Sequence, residues 1–196
     1  MNLENNVTAK KENKPSSSFH EWFDAILKAL IIILIMLTFC FKVCTVVGGS
    51  MNTTLSNGEK LVITNFFYNP QENDIIVFHQ TGDTLNEPCV KRIIATGGKW
   101  VKIDYDTCTL YVSDDNVFDA DDIVDESLHA YFDIGRYKLS GTFEKYVPNG
   151  YLFVMGDNRN NSLDSRSDII GLVDEKTVLG KVIFRISPSD RIGFIK

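Results

Sequence analysis

The sequence predicts a mainly β protein: an antiparallel β barrel or sandwich behind one N-terminal transmembrane helix. Three observations carry that expectation. From Ala25 to Val47 the chain is apolar, interrupted only by Lys28 near one end and Lys42 near the other. Beyond it, short β-rich runs recur between turn signals at Asn57-Gly58, Gly97-Gly98 and Asn149-Gly150. A chain of 196 residues, with its first 47 set aside, also has enough left for one good core and too little for two.

Residues 1–21 are expected to form a disordered cytoplasmic tail, because the first 18 are rich in Asn, Lys, Glu and Ser and poor in apolar side chains. Residues 22–47 follow as an uncleaved signal-anchor helix. About 20 apolar residues span a hydrocarbon core of about 30 Å, and terminal lysines snorkel to the headgroups. The stretch from Ala29 to Phe41 is apolar all round, unlike the one-sided helix of a globular core. A cleavable signal peptide would have a shorter apolar region. Lys10, Lys11, Lys14 and Lys28 precede the span, against Lys42 and Lys60 soon after it, which places the N-terminus in the cytoplasm and residues 48–196 outside the cell membrane.

In the outer part, strands are expected at 61–64, 74–80, 89–95, 100–104, 109–112, 151–156 and 181–186. Residues 113–144 are acidic with scattered aromatics and read as a surface insertion, with a short helix near Asp121 to Tyr131. The net charge of −6 has the wrong sign for nucleic acid. Cys40, Cys44, Cys89 and Cys108 form no CxxC pair and have no His at zinc spacing, so neither a metal nor another cofactor is expected. Cys40 and Cys44 read as small hydrophobes, and Cys89 with Cys108 is the pair that an oxidising compartment would leave open to bridging.

One serine, Ser50, follows two glycines in GGSMNTTL directly behind the apolar run. If it is a nucleophile, its base is not an evident histidine: His20 lies in the cytoplasmic flank, His79 ends a strand and His129 sits in the acidic insertion. A lysine serves only if its pKa falls from about 10.4 by roughly three, about 4 kcal/mol, which burial among apolar groups supplies. In CVKRIIA, strand alternation puts Lys91 on one face with Cys89 and Ile93, though a lysine that guards a strand edge would read the same way. The polar run MGDNRNNSLDSR, 155–166, then supplies Ser162 to hydrogen-bond an amine, and Asp157 and Asp164 to pair with Arg92 and Arg166.

These three pieces in this order, behind one anchor, resemble bacterial type I signal peptidases, the membrane-bound Ser-Lys proteases of the S26 family. SMNTTL is similar to the family's nucleophile motif, DIIVF to the strand that follows, VKRII to its lysine motif and GDNRNNSLDSR to its C-terminal motif, over roughly Trp22 to the C-terminus. The resemblance implies that Ser50 is the nucleophile and Lys91 the general base, with Ser162 orienting the amine. Asp157 with Arg92, and Asp164 with Arg166, would be supporting ion pairs. It further implies a β domain resting against the membrane, no cofactor, and signal peptides cut after small residues as substrate. Membrane lipid and the secretion channel would be its partners.

Where some members carry a hydroxyl as oxyanion donor this chain has Gly48, which leaves that role to the backbone N–H of Ser50. Val46, Met51, Leu55 and Val90 are the expected walls of shallow substrate pockets, and Phe66, Phe67 and Tyr68 are candidates for lipid contact or core. The chain departs from the family in having Thr53 for Pro, Asn73 for Gly, and Ala95-Thr96-Gly97-Gly98-Lys99 in place of a Gly-Leu-Pro-Gly-Asp-like turn. Two rival readings stay open: an anchored relative that binds signal peptides without cutting them, and a Ser-Lys peptidase dedicated to a narrow set such as pilin-like proteins.

Overall fold

A computed structural model describes residues 17–80, 87–125 and 140–195. The chain divides into two compact units, Met1–Phe39 and Cys40–Lys196. Helix α1, Ser17–Cys40, forms the described part of the first and ends on the first residue of the second. Its 24 residues extend about 36 Å at 1.5 Å each, and Phe19–Cys40, with a mean hydropathy of 2.4, is long and apolar enough to cross a membrane. None of this stretch is buried by protein.

The helix starts and stops earlier than 22–47. Residues 17–21 belong to its first turns, whereas 1–16 lie outside the described residues. Phe41–Thr45 is strand β1, paired antiparallel with β2, Lys60–Thr64, in the register Phe41 to Thr64 through Thr45 to Lys60. The apolar run therefore contains two elements. β-Branched Val43, Thr45, Val46 and Val47 are stiff at χ1 and suit a pleated strand better than a helix, and β2 supplies the hydrogen-bond partners.

The remaining strands are β3 (Ile75–His79), β4 (Pro88–Ala95), β5 (Trp100–Asp104), β6 (Thr109–Ser113), β7 (Thr142–Tyr146), β8 (Tyr151–Met155), β9 (Val173–Asp174), β10 (Val178–Ser187) and β11 (Gly193–Phe194). Seven of the strands overlap the seven expected. The main sheet runs β1-β2-β10-β3-β4-β8-β9, with β11 on β10, and a smaller sheet runs β6-β5-β7. All pairings are antiparallel.

Central strands are buried on both faces. In β3, Ile75 and Val77 join a cluster with Met51, Leu55 and Leu61, while Ile76 and Phe78 point into another with Ile93, Leu152 and Val154. This is the period-2 alternation of a strand with apolar material on both sides, and it explains the unbroken IIVF run. Phe153 and Met155 of β8 turn the other way, onto Val101, Ile103 and Leu110 of the smaller sheet.

The acidic insertion is shorter than 113–144. Thr142–Tyr146 is β7, paired along β5, and Phe143 packs 5.9 Å from Phe153. Four of its five residues are exposed, so the strand shows no apolar alternation. In place of the expected helix near Asp121 there is one 3₁₀ turn, Ala120–Asp122, capped by Asp119, and 126–131 lie outside the described residues. All four cysteines are free thiols, so Cys89 and Cys108 are not bridged.

Candidate active site

Ser50 sits on the loop that joins β1 to β2. The ends of that loop are zipped by Val46 N–H to the Glu59 carbonyl (2.9 Å) and Gly58 N–H to the Val46 carbonyl (2.8 Å). Gly48 adopts φ +90°, a conformation open to glycine and strained for residues with a Cβ. Its N–H donates to Asn57 Oδ1 at 2.9 Å. Glycine at 48 is thus required by the turn itself.

Lys91 comes from β4, between β3 and β8 in the main sheet. Its side chain reaches Ser50, with Nζ 2.8 Å from Ser50 Oγ and 3.1 Å from the Val90 carbonyl oxygen. The residue is 5% exposed. Burial lowers its pKa below the ordinary lysine value and outweighs the opposing pull of Cys89, Asp164 and Asp157. A protonated amine would donate along the 2.8 Å line, whereas a neutral one accepts the hydroxyl proton along the same line.

Both expected ion pairs are formed. Arg92 Nε and Nη2 donate to Asp157 Oδ1 and Oδ2 at 2.9 and 2.8 Å. Arg166 Nε and Nη2 hold Asp164 at 2.8 and 2.9 Å, and the Gly156 N–H adds a bond to Asp164 at 3.1 Å. Burial by itself would raise the Asp164 carboxyl. The Arg166 guanidinium, the Gly156 N–H and the Ser162 hydroxyl more than offset that and hold it below the usual carboxylate range.

The expected bond between Ser162 and Lys91 is not formed. Ser162 Oγ is buried and turned to the Asp164 carboxyl, which it helps hold low, with no close hydrogen bond of its own, while the amine is occupied by Ser50 Oγ and the Val90 carbonyl. Ser162 packs over Gly156, where an added Cβ would overlap both Ser162 Oγ and the Ser50 carbonyl oxygen. The pocket candidates also differ from expectation. Val46, Met51 and Leu55 are all buried in one core cluster, and half-buried Val90 packs against it. Their apolar side chains go to the core beneath the loop before any is left for an open wall.

Several contacts escaped the sequence reading. Thr54 Oγ1 donates to Asp157 Oδ2 at 2.5 Å. Asn158 N–H donates to the Ser50 carbonyl and its Nδ2 to the Gly49 carbonyl, each at 3.0 Å. Buried Arg159 donates from Nε to the Gly156 carbonyl. All three residues lie inside the quoted motifs, so the signal for them was their company. Arg92 Nη1 also donates to the Asn73 carbonyl at 2.7 Å. Asn73 has φ +70°, the left-handed region that Gly and Asn enter most easily, so Asn for Gly there preserves the turn. Gly98, at φ +95°, keeps the Ala95–Lys99 turn in glycine's range, and Lys99 pairs with Glu72 at 2.8 Å.

The sequence model of the family described as signal peptidase, peptidase S26, matches residues 19–187. Signal peptidase I of Bacillus licheniformis is 34% identical over 190 residues, covering 95% of this chain and 98% of the relative. Signal peptidase I T of Bacillus subtilis (strain 168) is 34% identical over 188 residues, covering 94% and 93%. Signal peptidase IB of Staphylococcus aureus (strain N315) is 32% identical over 185 residues, covering 86% and 89%. A crystal structure of a signal peptidase I from Enterococcus faecalis V583 aligns with 58% of this chain and 97% of that one, at 27% identity and a TM-score of 0.42. On the extent of the sequence matches, the chain belongs to the signal peptidase S26 family.

Proposed function

We propose that Ser50 and Lys91 carry the reaction of this signal peptidase, Ser50 as nucleophile and Lys91 as its general base. The observation that supports this most is the 2.8 Å separation of Lys91 Nζ and Ser50 Oγ, made by a lysine whose burial disfavours its charged form. The neutral amine takes the hydroxyl proton as Oγ attacks the carbonyl carbon at the end of the signal peptide. The resulting oxyanion meets the backbone N–H of Ser50. Lys91 returns the proton to the leaving amine of the mature protein, and the signal peptide remains as an ester on Ser50. Water, deprotonated by the same amine, hydrolyses that ester. Ser162 would act beside Gly156 and on the Asp164 carboxyl rather than by a direct bond to the amine.

The preprotein would lie extended beside β4. Pairing of β4 with β3 covers Pro88 to Arg92, whereas pairing with β8 begins at Arg92, so the stretch before Arg92 has a free edge toward an added strand. Val90 would touch a small side chain there. The N-terminal apolar helix is the membrane anchor. The lysine bias supports a cytoplasmic N-terminus and an external catalytic part. Phe66 and Phe67, 56% and 93% exposed, would then meet lipid, while Tyr68 turns inward to Asp74 at 2.8 Å. The secretion channel would deliver the substrate.

The test is mass spectrometry of a preprotein incubated in detergent with the wild type and with Ser50→Ala. Cleavage after a small residue at the end of the signal peptide, by the wild type alone, is expected. Equal cleavage by Ser50→Ala would remove Ser50 from the reaction.

A further inference from the structure

We propose that Glu59 and Arg191 are positioning residues for Ser50, forming an ionic clamp on the nucleophile's loop that is separate from the Arg92–Asp157 pair. The inference rests on Ser50 being the nucleophile. The outer stretch of the loop is poorly held by packing, since Asn52, Thr53, Asn57 and Gly58 are exposed. At its exit, however, Glu59 is 2% exposed. Its carboxylate accepts from Arg185 Nη1 at 3.0 and 3.1 Å and from Arg191 Nη1 at 2.6 Å. A buried carboxylate needs a partner, and Arg185 already provides one charge to balance it.

Arg191 does more than neutralise. Its Nη1 also donates to Ser56 Oγ at 2.9 Å, and its Nη2 to the Thr54 carbonyl at 3.2 Å. One planar fork thus grips a carboxylate, a hydroxyl and a backbone carbonyl of the same loop in a fixed geometry, which an ammonium on a flexible stem does not impose. Arg191 lies on the single turn Ser189–Arg191 after β10, and β10 runs between β2 and β3 in the main sheet. The loop is therefore tied to the interior of the sheet.

Thr54 is held twice, its hydroxyl by Asp157 and its carbonyl by Arg191. The constraint passes back to Ser50 through short turns, Leu55 N–H to the Met51 carbonyl at 2.8 Å and Asn52 N–H to the Gly49 carbonyl at 3.2 Å. Thr53 has no ring to fix φ as a proline does, and the arginine fork acts on the residue after it.

The test uses the full chain in detergent with Arg191→Lys, which keeps a cation for Glu59 but lacks the second arm, and Arg191→Met, which lacks both. For Arg191→Lys the expected result is an unchanged Tm, KM and pH midpoint with kcat lowered about tenfold. Hydrogen exchange at the amides of Asn52, Leu55 and Gly58 should quicken while β3 and β4 stay protected. Arg191→Met should exaggerate both effects. Wild-type kcat or unaltered loop exchange in Arg191→Lys overturns the clamp, as does a loss of protection spread evenly over the sheet. The exchange measurement needs no substrate, so it judges the clamp even if Ser50→Ala proves active and the nucleophile is reassigned.

Discussion

Arg92 and Asp157 form a bidentate ion pair at 2.9 and 2.8 Å, with side chains only 2% and 0% exposed. A pair so enclosed contributes little net stability over an apolar one, but removing one member strands the other in a medium that cannot solvate it. Asp157→Ala should therefore cost about 3–5 kcal/mol by denaturant unfolding. It also frees Thr54, which donates to the same carboxylate, so a folded remnant of this variant should cleave slowly. A loss below about 1 kcal/mol, the scale of a surface pair, would contradict the enclosed geometry.

Ser50→Ala and Lys91→Met should each abolish preprotein cleavage and leave the fold intact. Ser50 is half-buried on a loop, so loss of its hydroxyl leaves the core untouched. The methionine replaces a buried lysine stem with an apolar one of similar length. Circular dichroism and Tm check the fold, and a cleavage assay checks the chemistry. Residual cleavage in either purified variant above the rate without enzyme would break the dyad assignment.

Activity should rise with pH. The protonated amine is the inactive form, and burial moves its pKa below the ordinary value of 10.5, so kcat/KM should climb through a midpoint beneath that value. Stability has the same sign. Between the lowered folded pKa and the unfolded one, the unfolded chain binds more protons, so folding weakens as pH falls through that window. Lys91→Met should flatten this part of the stability curve. A cleavage rate level from pH 6 to 10 would argue against lysine as the base.

What the sequence made legible follows from how each feature is encoded. Central strands such as IIVF and YLFVM carry their burial in their own composition, and Ser50, Lys91 and both ion pairs lie in compact motifs. β1 was hidden because its apolar residues continue those of α1 without a break, and only pairing with β2 distinguishes strand from helix. β7 was hidden for the opposite reason, being polar and exposed with one anchoring Phe143. The Glu59–Arg191 contact joins residues 132 apart by chemistry that neither neighbourhood advertises. Ser162 lies in the expected loop without bonding the Lys91 amine, because composition cannot say which of several nearby acceptors an amine takes.

Asp164 makes an acid-side prediction. Its carboxyl is held below the ordinary 3.8 by Arg166, the Gly156 N–H and the Ser162 hydroxyl despite its burial. A depressed carboxyl contributes stability that is present above the unfolded value and is lost as pH falls through the folded one. Asp164→Asn should lower stability near neutral pH and reduce the fall in stability across the acid range, measured by Tm against pH. Parallel curves for variant and wild type would show that Asp164 is not a source of the acid dependence.

Gly156→Ala tests how closely the loop after β8 approaches the nucleophile. A Cβ there would overlap the Ser50 carbonyl oxygen and Ser162 Oγ, and the first is backbone that Asn158 N–H also holds at 3.0 Å. Relief must come from moving Ser50 or the 156–158 segment, since rotating the Ser162 side chain moves only its Oγ and leaves its Cβ and the Ser50 carbonyl in the way. Overpacking of this kind costs about 1–3 kcal/mol, and a displacement near 1 Å at a reacting group lowers rate about 10²-fold. The variant should therefore fold with a reduced Tm and lose far more kcat than its stability loss explains. Paired with Ser162→Ala, which clears only the hydroxyl, it should regain little activity, whereas full recovery would identify Ser162 rather than the Ser50 backbone as the obstructed neighbour.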